Sequence, residues 1–265
     1  FDSQCEGLGA ILRNMARVGD REAVRTLLSR TPNRQALLST VDALGQGHTA
    51  LHLAAGHGHA GVLRAILELA PDASALNAMV DTAGFLPLHY TASNGHENTT
   101  RALLEMTHSR TDLLTATDRS EQCYTALHLA AKHGHHRVLK TILDLAPCSG
   151  QLNAAVDLSG STPLHLAAQG GHEGAVRTLL ARALDRGVLV ATPNRHERRN
   201  PLHLAAECGE ESVVRALLEL VPRGTSLVTK PDKLGLTPLH LAAERGHEAV
   251  IRALMESEPE PAGRS

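Results

Sequence analysis

The chain has 265 residues, 42% of them apolar and 20% charged but only 2% aromatic, with no Trp, two Phe and two Tyr. A single thick core would recruit large rings to its centre, so this composition points to thin layers of Ala, Leu and Val instead. The 26 Lys and Arg nearly balance the 28 Asp and Glu, and the formal charge of −2 draws the chain neither to nucleic acid nor to an anionic membrane.

In chain order, the first element is a helical pattern at Leu12-Arg13-Asn14-Met15-Ala16, ended by Gly19 and followed by a second apolar pattern at Ala23-Val24-Arg25-Thr26-Leu27-Leu28. From residue 49 a phrase takes over. It reads Thr49-Ala50-Leu51-His52-Leu53-Ala54-Ala55, then Leu86-Pro87-Leu88-His89-Tyr90-Thr91-Ala92, then Thr125-Ala126-Leu127-His128-Leu129-Ala130-Ala131. It returns from Thr162, Asn200 and Thr237, so that successive phrase histidines (His52, His89, His128, His165, His203, His240) lie 37, 39, 37, 38 and 37 residues apart. Each phrase runs into a Gly and then a second apolar helical pattern, such as Val62-Leu63-Arg64-Ala65-Ile66-Leu67 after Gly58.

The physics of one unit follows. Thr caps the free N–H groups of the first helix, and Pro in its first turn costs no backbone bond. Gly ends that helix where a left-handed residue is needed; a second helix folds back, and a loop leads to the next unit. Neither helix buries its face alone, so the units must stack. In the leading copy Arg13 and Asn14 replace His and Leu, the polar wording of an outer cap. Ile251, Leu254 and Met255 of the last copy look ready to pack on a further neighbour. The run from Ser257 to Ser265 reads as a disordered tail, and a chain that begins at Phe1 reads as excised from a longer product.

This phrase resembles the ankyrin repeat. The resemblance implies an all-α repeat solenoid: helix-turn-helix pairs with β-hairpin-like fingers in a curved, right-angled stack. About seven repeats are expected over residues 1–256, a degenerate one at 5–38 and others at 42–76, 81–114, 118–152, 157–190, 194–227 and 232–256.

A second period lies inside the first. Matched finger residues sit 76 apart (Asp42 and Asp118; Asp81 and Asp157) or 75 apart (Asp157 and Asp232), as duplication of a two-repeat cassette would leave them. Repeats two and four carry two extra residues between this Asp and the phrase, with the sixth similar in length, so long and short fingers should alternate.

Several chemical motifs dissolve in this pattern. Gly56-His57-Gly58-His59-Ala60-Gly61 satisfies G-x-G-x-x-G, but a helix rather than a strand precedes it. Of 17 histidines, six belong to the phrase and five follow its Gly (His59, His96, His135, His172, His247). The resemblance makes the phrase histidines structural hydrogen-bonding residues. His48, His57, His108, His133, His136 and His196 remain as surface contact residues, and the His133–His136 cluster lacks a Cys or carboxylate at tetrahedral spacing. Four scattered cysteines fit neither a disulfide framework nor a zinc site and point to a reduced, intracellular setting. Asn98-Thr99-Thr100 is a sequon inside a helix, and Leu220-Val221-Pro222-Arg223-Gly224 resembles a thrombin site. No nucleophile, metal or cofactor is expected.

Information should then lie where the repeats differ. The resemblance places binding on the concave face of fingers and first helices. The two positions after each Ala-Ala pair vary, and so do the finger tips. Phe85 and Tyr124 occupy one finger column and either anchor a partner or pack on the neighbouring repeat. Arg195-His196-Glu197-Arg198-Arg199, with Lys230 and Lys233, forms either a basic patch for an acidic or phosphorylated partner or a solvated loop; without interleaved aromatic residues it is a poor nucleic-acid site. The expected contact residues are His48, His57, Phe85, Asn94, Tyr124, Lys132, His133, Gln169, Arg195, Arg198, Arg199, Glu207 and Lys233. The expectation is a monomeric, non-enzymatic interaction scaffold that binds a protein or peptide and no membrane, as in bacterial effectors acting in a host cytoplasm. The alternative is a targeting segment of a larger enzyme or channel.

Overall fold

The computed structural model describes residues 2–42, 45–221 and 227–257. The tail from residue 258 and the Pro222-Arg223-Gly224 part of the thrombin-like segment lie outside the described residues. Each unit pairs an inner helix, beside the fingers, with an antiparallel outer helix. The leading unit comprises α1 (Asp2–Val18), α2 (Arg21–Arg30) and a short α3 (Arg34–Leu38). The triplet recurs as α4 (Ala50–Gly56), α5 (Ala60–Leu69) and α6 (Ala73–Asn77), then α7 (Pro87–Ser93), α8 (Glu97–Glu105) and α9 (Arg110–Thr115). Two more follow: α10 (Ala126–Lys132), α11 (His136–Leu145) and α12 (Ser149–Asn153); α13 (Pro163–Gln169), α14 (Glu173–Ala181) and α15 (Arg186–Ala191). The pairs α16 (Pro201–Cys208) with α17 (Glu211–Leu220) and α18 (Pro238–Glu244) with α19 (Glu248–Ser257) complete the stack.

The short third helices correct the sequence reading, which put a plain loop there. Side chains of Asn33, Asp72 and Asp185 cap three of them, and Leu37, Leu76, Leu114, Leu152 and Val190 carry them into the core. They absorb the residues by which a 37–39-residue period exceeds the roughly 33 of an ankyrin unit. At five or six residues they are too short to show a periodicity. The fingers are also less strand-like than expected; among the described residues the β-pairing is one isolated bridge, Thr117 to Thr125. Each finger closes with a single backbone bond: Asp42 N to His48 O, Asp81 to Phe85, Asp118 to Tyr124, Asp157 to Ser161, Asn194 to Arg199 and Asp232 to Leu236. Long and short closures alternate through the first four, and the Asn194 finger is intermediate.

Two histidine columns stitch neighbouring units in opposite directions. In the phrase, the backbone N–H of the capping residue donates to the imidazole Nδ1, as from Leu86 to His89 at 2.9 Å and Thr162 to His165 at 3.0 Å. Nε2 then donates forward to a finger carbonyl of the next unit from His52 to Phe85, His128 to Ser161, His165 to Arg199 and His203 to Leu236, at 3.0–3.3 Å, whereas His89 donates to Ala116 O at the end of its own unit's third helix, at 3.2 Å. The histidines after the Gly bond backward, His59 to Arg17 O, His96 to Gly56, His135 to Ser93, His172 to Lys132 and His247 to Glu207. Gly58 shows why its column is Gly: φ is +76°, and a Cβ there would meet His96 Nδ1 at 2.7 Å. In the sixth unit Glu210 stands where the others have His, and its carboxylate, which cannot donate, lies over Gly171.

On the outer helices a ladder joins four of the six pairs of neighbouring units through Arg25–Glu68, Arg64–Glu105, Arg177–Glu219 and Arg215–Glu256 at 2.9–3.1 Å. Ala181 occupies the acidic column once; Lys140 has no ion pair among the described residues, and Arg182 reaches Asp144 instead. Such exposed pairs are screened by solvent and contribute little to stability. At the C-terminal end Leu254 is buried on its own unit rather than offered to a neighbour, but Met255 (63% exposed) and Leu234 (77%) are bare. His240 is exposed as well.

The phrase imidazoles accept at one nitrogen and donate at the other, so only the neutral ring fits. Burial pulls His52 and His165 down to about 4 and lowers His89, His128 and His203 as well. The folded array therefore binds fewer protons than the unfolded chain below pH 6.5. Stability should be full above pH 6.5 and fall as pH drops toward 4, by up to about 1.4 kcal/mol per pH unit for each such histidine. Urea midpoints measured at pH 7.5, 6.5 and 5.5 should decline steeply over the last step; a flat profile would contradict the neutral-imidazole joint.

Candidate protein-interaction surface

Two sequence columns face each other on the inner side of units two, four and six: the residue before the helix cap, at the finger base, and the first residue after the Ala-Ala pair. In the fourth unit they are Tyr124 and Lys132, and the ammonium lies 4.9 Å from the ring centroid, a cation–π contact. In the sixth they are Arg199 and Glu207, paired at 2.7 Å. In the second they are His48 and Gly56, and the space between is open: a pocket of about 260 Å³ lined by His48, His52, Leu53, Gly56, His57, Tyr90 and Asn94.

A polar relay organises the wall of that pocket. Asp81 is 4% exposed; its Oδ1 accepts from the backbone N–H groups of Ala83 and Phe85 at 2.9 and 2.8 Å. Its Oδ2 accepts from the Tyr90 hydroxyl at 2.6 Å, and the same hydroxyl accepts from His48 Nε2 at 2.9 Å. Burial, then the hydrogen bond and charge of Asp81, raise the Tyr90 hydroxyl above its ordinary value. His48 and His52 pack edge-on to the Tyr90 ring, and Phe85 lies 5.5 Å from it. His57, exposed at the rim, bonds Leu53 O through Nδ1. Asn94 donates from Nδ2 to Gly56 O at 2.8 Å, which leaves its carbonyl oxygen for a ligand.

The fold thus brings His48, His57, Phe85 and Asn94 of the expected contact residues to one place. Tyr124 and Lys132 pair with each other at the next long finger, with His133 exposed beside them and bonded to Leu129 O. Gln169 is exposed without such company. Arg195, Arg198 and Lys233 are exposed along the finger edge, where the N–H groups of Arg195 and Lys233 donate to the preceding finger at Ser159 O and Glu197 O.

Arg199 is a correction. It is not part of a free basic patch: its guanidinium is buried against Asp232 at 3.1 Å, Glu207 at 2.7 Å and Glu197 at 3.1 Å. Burial alone would raise the Asp232 carboxyl, but the Leu236 and Leu234 N–H groups and Arg199 hold it below its ordinary value. Glu207 forms ion pairs with both Arg199 and Arg245, at 2.7 and 3.1 Å. Tyr90 and Asp81 were missed as site residues. The signal was present, since Tyr90 is the single departure from Leu in its phrase column.

The surface offers little to a reaction. Among the described residues no three His, Cys, Asp or Glu side chains gather as a metal site. Burial and the carboxylates of Glu207 and Glu210 push the Cys208 thiol up, the opposite of what a thiolate nucleophile needs. No helix is long and apolar enough to cross a membrane among the described residues.

Stacked helix pairs, fingers on one edge and variable side chains on the inner face define a repeat solenoid. Comparison with known proteins gives its family. The family model described as ankyrin repeats (3 copies) matches residues 12–117, 107–188 and 185–263, and the chain belongs to the ankyrin repeat family. Among solved structures it is similar to the human ASB11 ankyrin repeat domain, at a TM-score of 0.69 and 22% identity over 95% of this chain and 99% of that one. No curated protein matches the chain. Ankyrin repeats are in general protein–protein interaction modules, and the nearly all-helical stack is the corresponding solenoid.

Replacing Arg199 by Ala would strand the buried Asp232 carboxylate, and should destabilise the chain by roughly 3 kcal/mol in urea titrations. A loss under 1 kcal/mol would show that the network is not coupled to the fold.

Proposed function

We propose that this chain is a non-enzymatic interaction module that holds a partner protein or peptide on its concave face, across the fingers and inner helices of units two to six. The observation that carries this reading is the open pocket between His48, His57, Tyr90 and Asn94, at a place that the chain's own side chains fill in units four and six. The finger edge supplies a second contact zone: with Arg199 consumed, Arg195, Arg198 and Lys233 are the groups that would meet an acidic or phosphorylated segment of the partner. Action inside a cell agrees with the cysteine usage, since Cys123, Cys148 and Cys208 are not paired in disulfides.

The test is affinity capture with quantitative mass spectrometry. Proteins recovered on the wild-type chain should be lost on a His57→Glu/Asn94→Arg variant and retained on Arg64→Ala, an outer-ladder change. Equal recovery on all three would reject the concave face. Arg198 gives a separate check, because its φ of 55° is left-handed where Gly84, Gly160 and Gly235 serve other fingers. Arg198→Gly should raise stability by up to about 1 kcal/mol while weakening partner binding; a gain in stability with undiminished binding would mean that Arg198 has no contact role.

A further inference from the structure

We infer that the pocket at Gly56 takes a basic side chain, lysine or arginine, from the partner, in the position that Lys132 fills from within the chain two units later. The inference rests on the concave-face reading and names the chemistry of its anchor.

The argument is an internal comparison. His48 and Gly56 lie 76 residues before Tyr124 and Lys132, and these lie 75 before Arg199 and Glu207. All three pairs occupy the same two facing columns of duplicated units. In the fourth unit the column pair is ring and ammonium, in the sixth guanidinium and carboxylate, and both are closed. In the second unit the finger residue is again a ring, but the position that would supply the cation has no side chain.

The surroundings of the gap select the charge. Where the fourth junction has Leu166, the second has Tyr90, which adds an electron-rich ring at the pocket wall. Behind that ring the buried Asp81 carboxylate is joined to the wall through the Tyr90 hydroxyl, and no Lys or Arg lines the pocket. Its remaining titratable groups are the imidazoles of His48, His52 and His57. A ring beside a buried carboxylate attracts an ammonium or guanidinium; an acidic side chain would face Asp81 across one phenol. The Asn94 carbonyl oxygen and His57 at the rim are placed to meet the peptide that carries the cation. The volume of about 260 Å³ accommodates the long stem of such a residue.

Gly56 also provides the test. It sits in the last turn of α4 outside the left-handed region, and a Cβ there would meet only Tyr90 Cδ1 at 3.7 Å and, at 4.0 Å, Asn94 Nδ2 and Tyr90 Cβ. Gly56→Lys should therefore fold and fill the pocket as Lys132 fills its own. A phage-displayed dodecapeptide library is selected on the wild-type chain at pH 7.5, and the recovered peptides are synthesised. Supporting peptides carry a Lys or Arg whose replacement by norleucine weakens Kd about tenfold or more. Gly56→Lys causes a similar loss, the two changes together cost little more than either, and thermal unfolding of the variant stays near that of the wild type. If Gly56→Lys itself proves unstable, Tyr90→Leu, the residue of the other phrase copies, should give the same coupled loss. Peptides that need Gly56 but anchor through an apolar or acidic side chain would overturn this inference and leave the concave-face reading standing. Binders indifferent to Gly56→Lys, Tyr90→Leu and the His57→Glu/Asn94→Arg variant alike would overturn both.

Discussion

The array depends on a neutral, buried imidazole held from both sides. At four of the six joints a phrase histidine accepts from the N–H of its own helix cap and donates to a carbonyl of the next unit. It is at once the helix start signal and the mortar. Removing it would leave buried backbone groups unpaired, which costs more than the bond itself contributes. Leu86 illustrates the division of labour: it lacks a capping hydroxyl, yet its N–H still reaches His89 at 2.9 Å, so the cap-to-imidazole bond survives the loss of the side-chain cap.

Around that joint the rest is secondary. Small Ala pairs let inner helices approach, Gly clears room for the backward-bonding histidines, and the outer ladder and the finger-to-finger backbone bonds keep register. Because these devices use fixed columns, the remaining columns are free to vary, and the variation falls on one face. His48, Tyr124 and Arg199 show one column used in three ways: as the wall of an open pocket, as an internally satisfied ring and as the centre of a buried ion network.

Much of this was legible in the sequence. The phrase, its histidine spacing and the Gly after it define helix pairs and their stacking, and the 76-residue period anticipates the alternation of finger length. What escaped did so for physical reasons. The short third helices hold one turn each and carry no period. The charge state of the finger at Arg199 depends on Asp232, 33 residues on, and on Glu207 across the finger base, so a run of basic letters concealed a neutralised cluster. The pocket arises between Gly56 and Tyr90, on successive units, and emptiness at a glycine leaves no mark except by comparison with its cassette copies.

Glu210 has one more consequence. Every other joint has a backward-bonding imidazole, but between the fifth and sixth units a carboxylate replaces that donor. Under tension along the axis the solenoid would not open uniformly: it would part at that seam, into a five-unit spring and a two-unit remnant, and the hollow side would lose its curvature there before anywhere else.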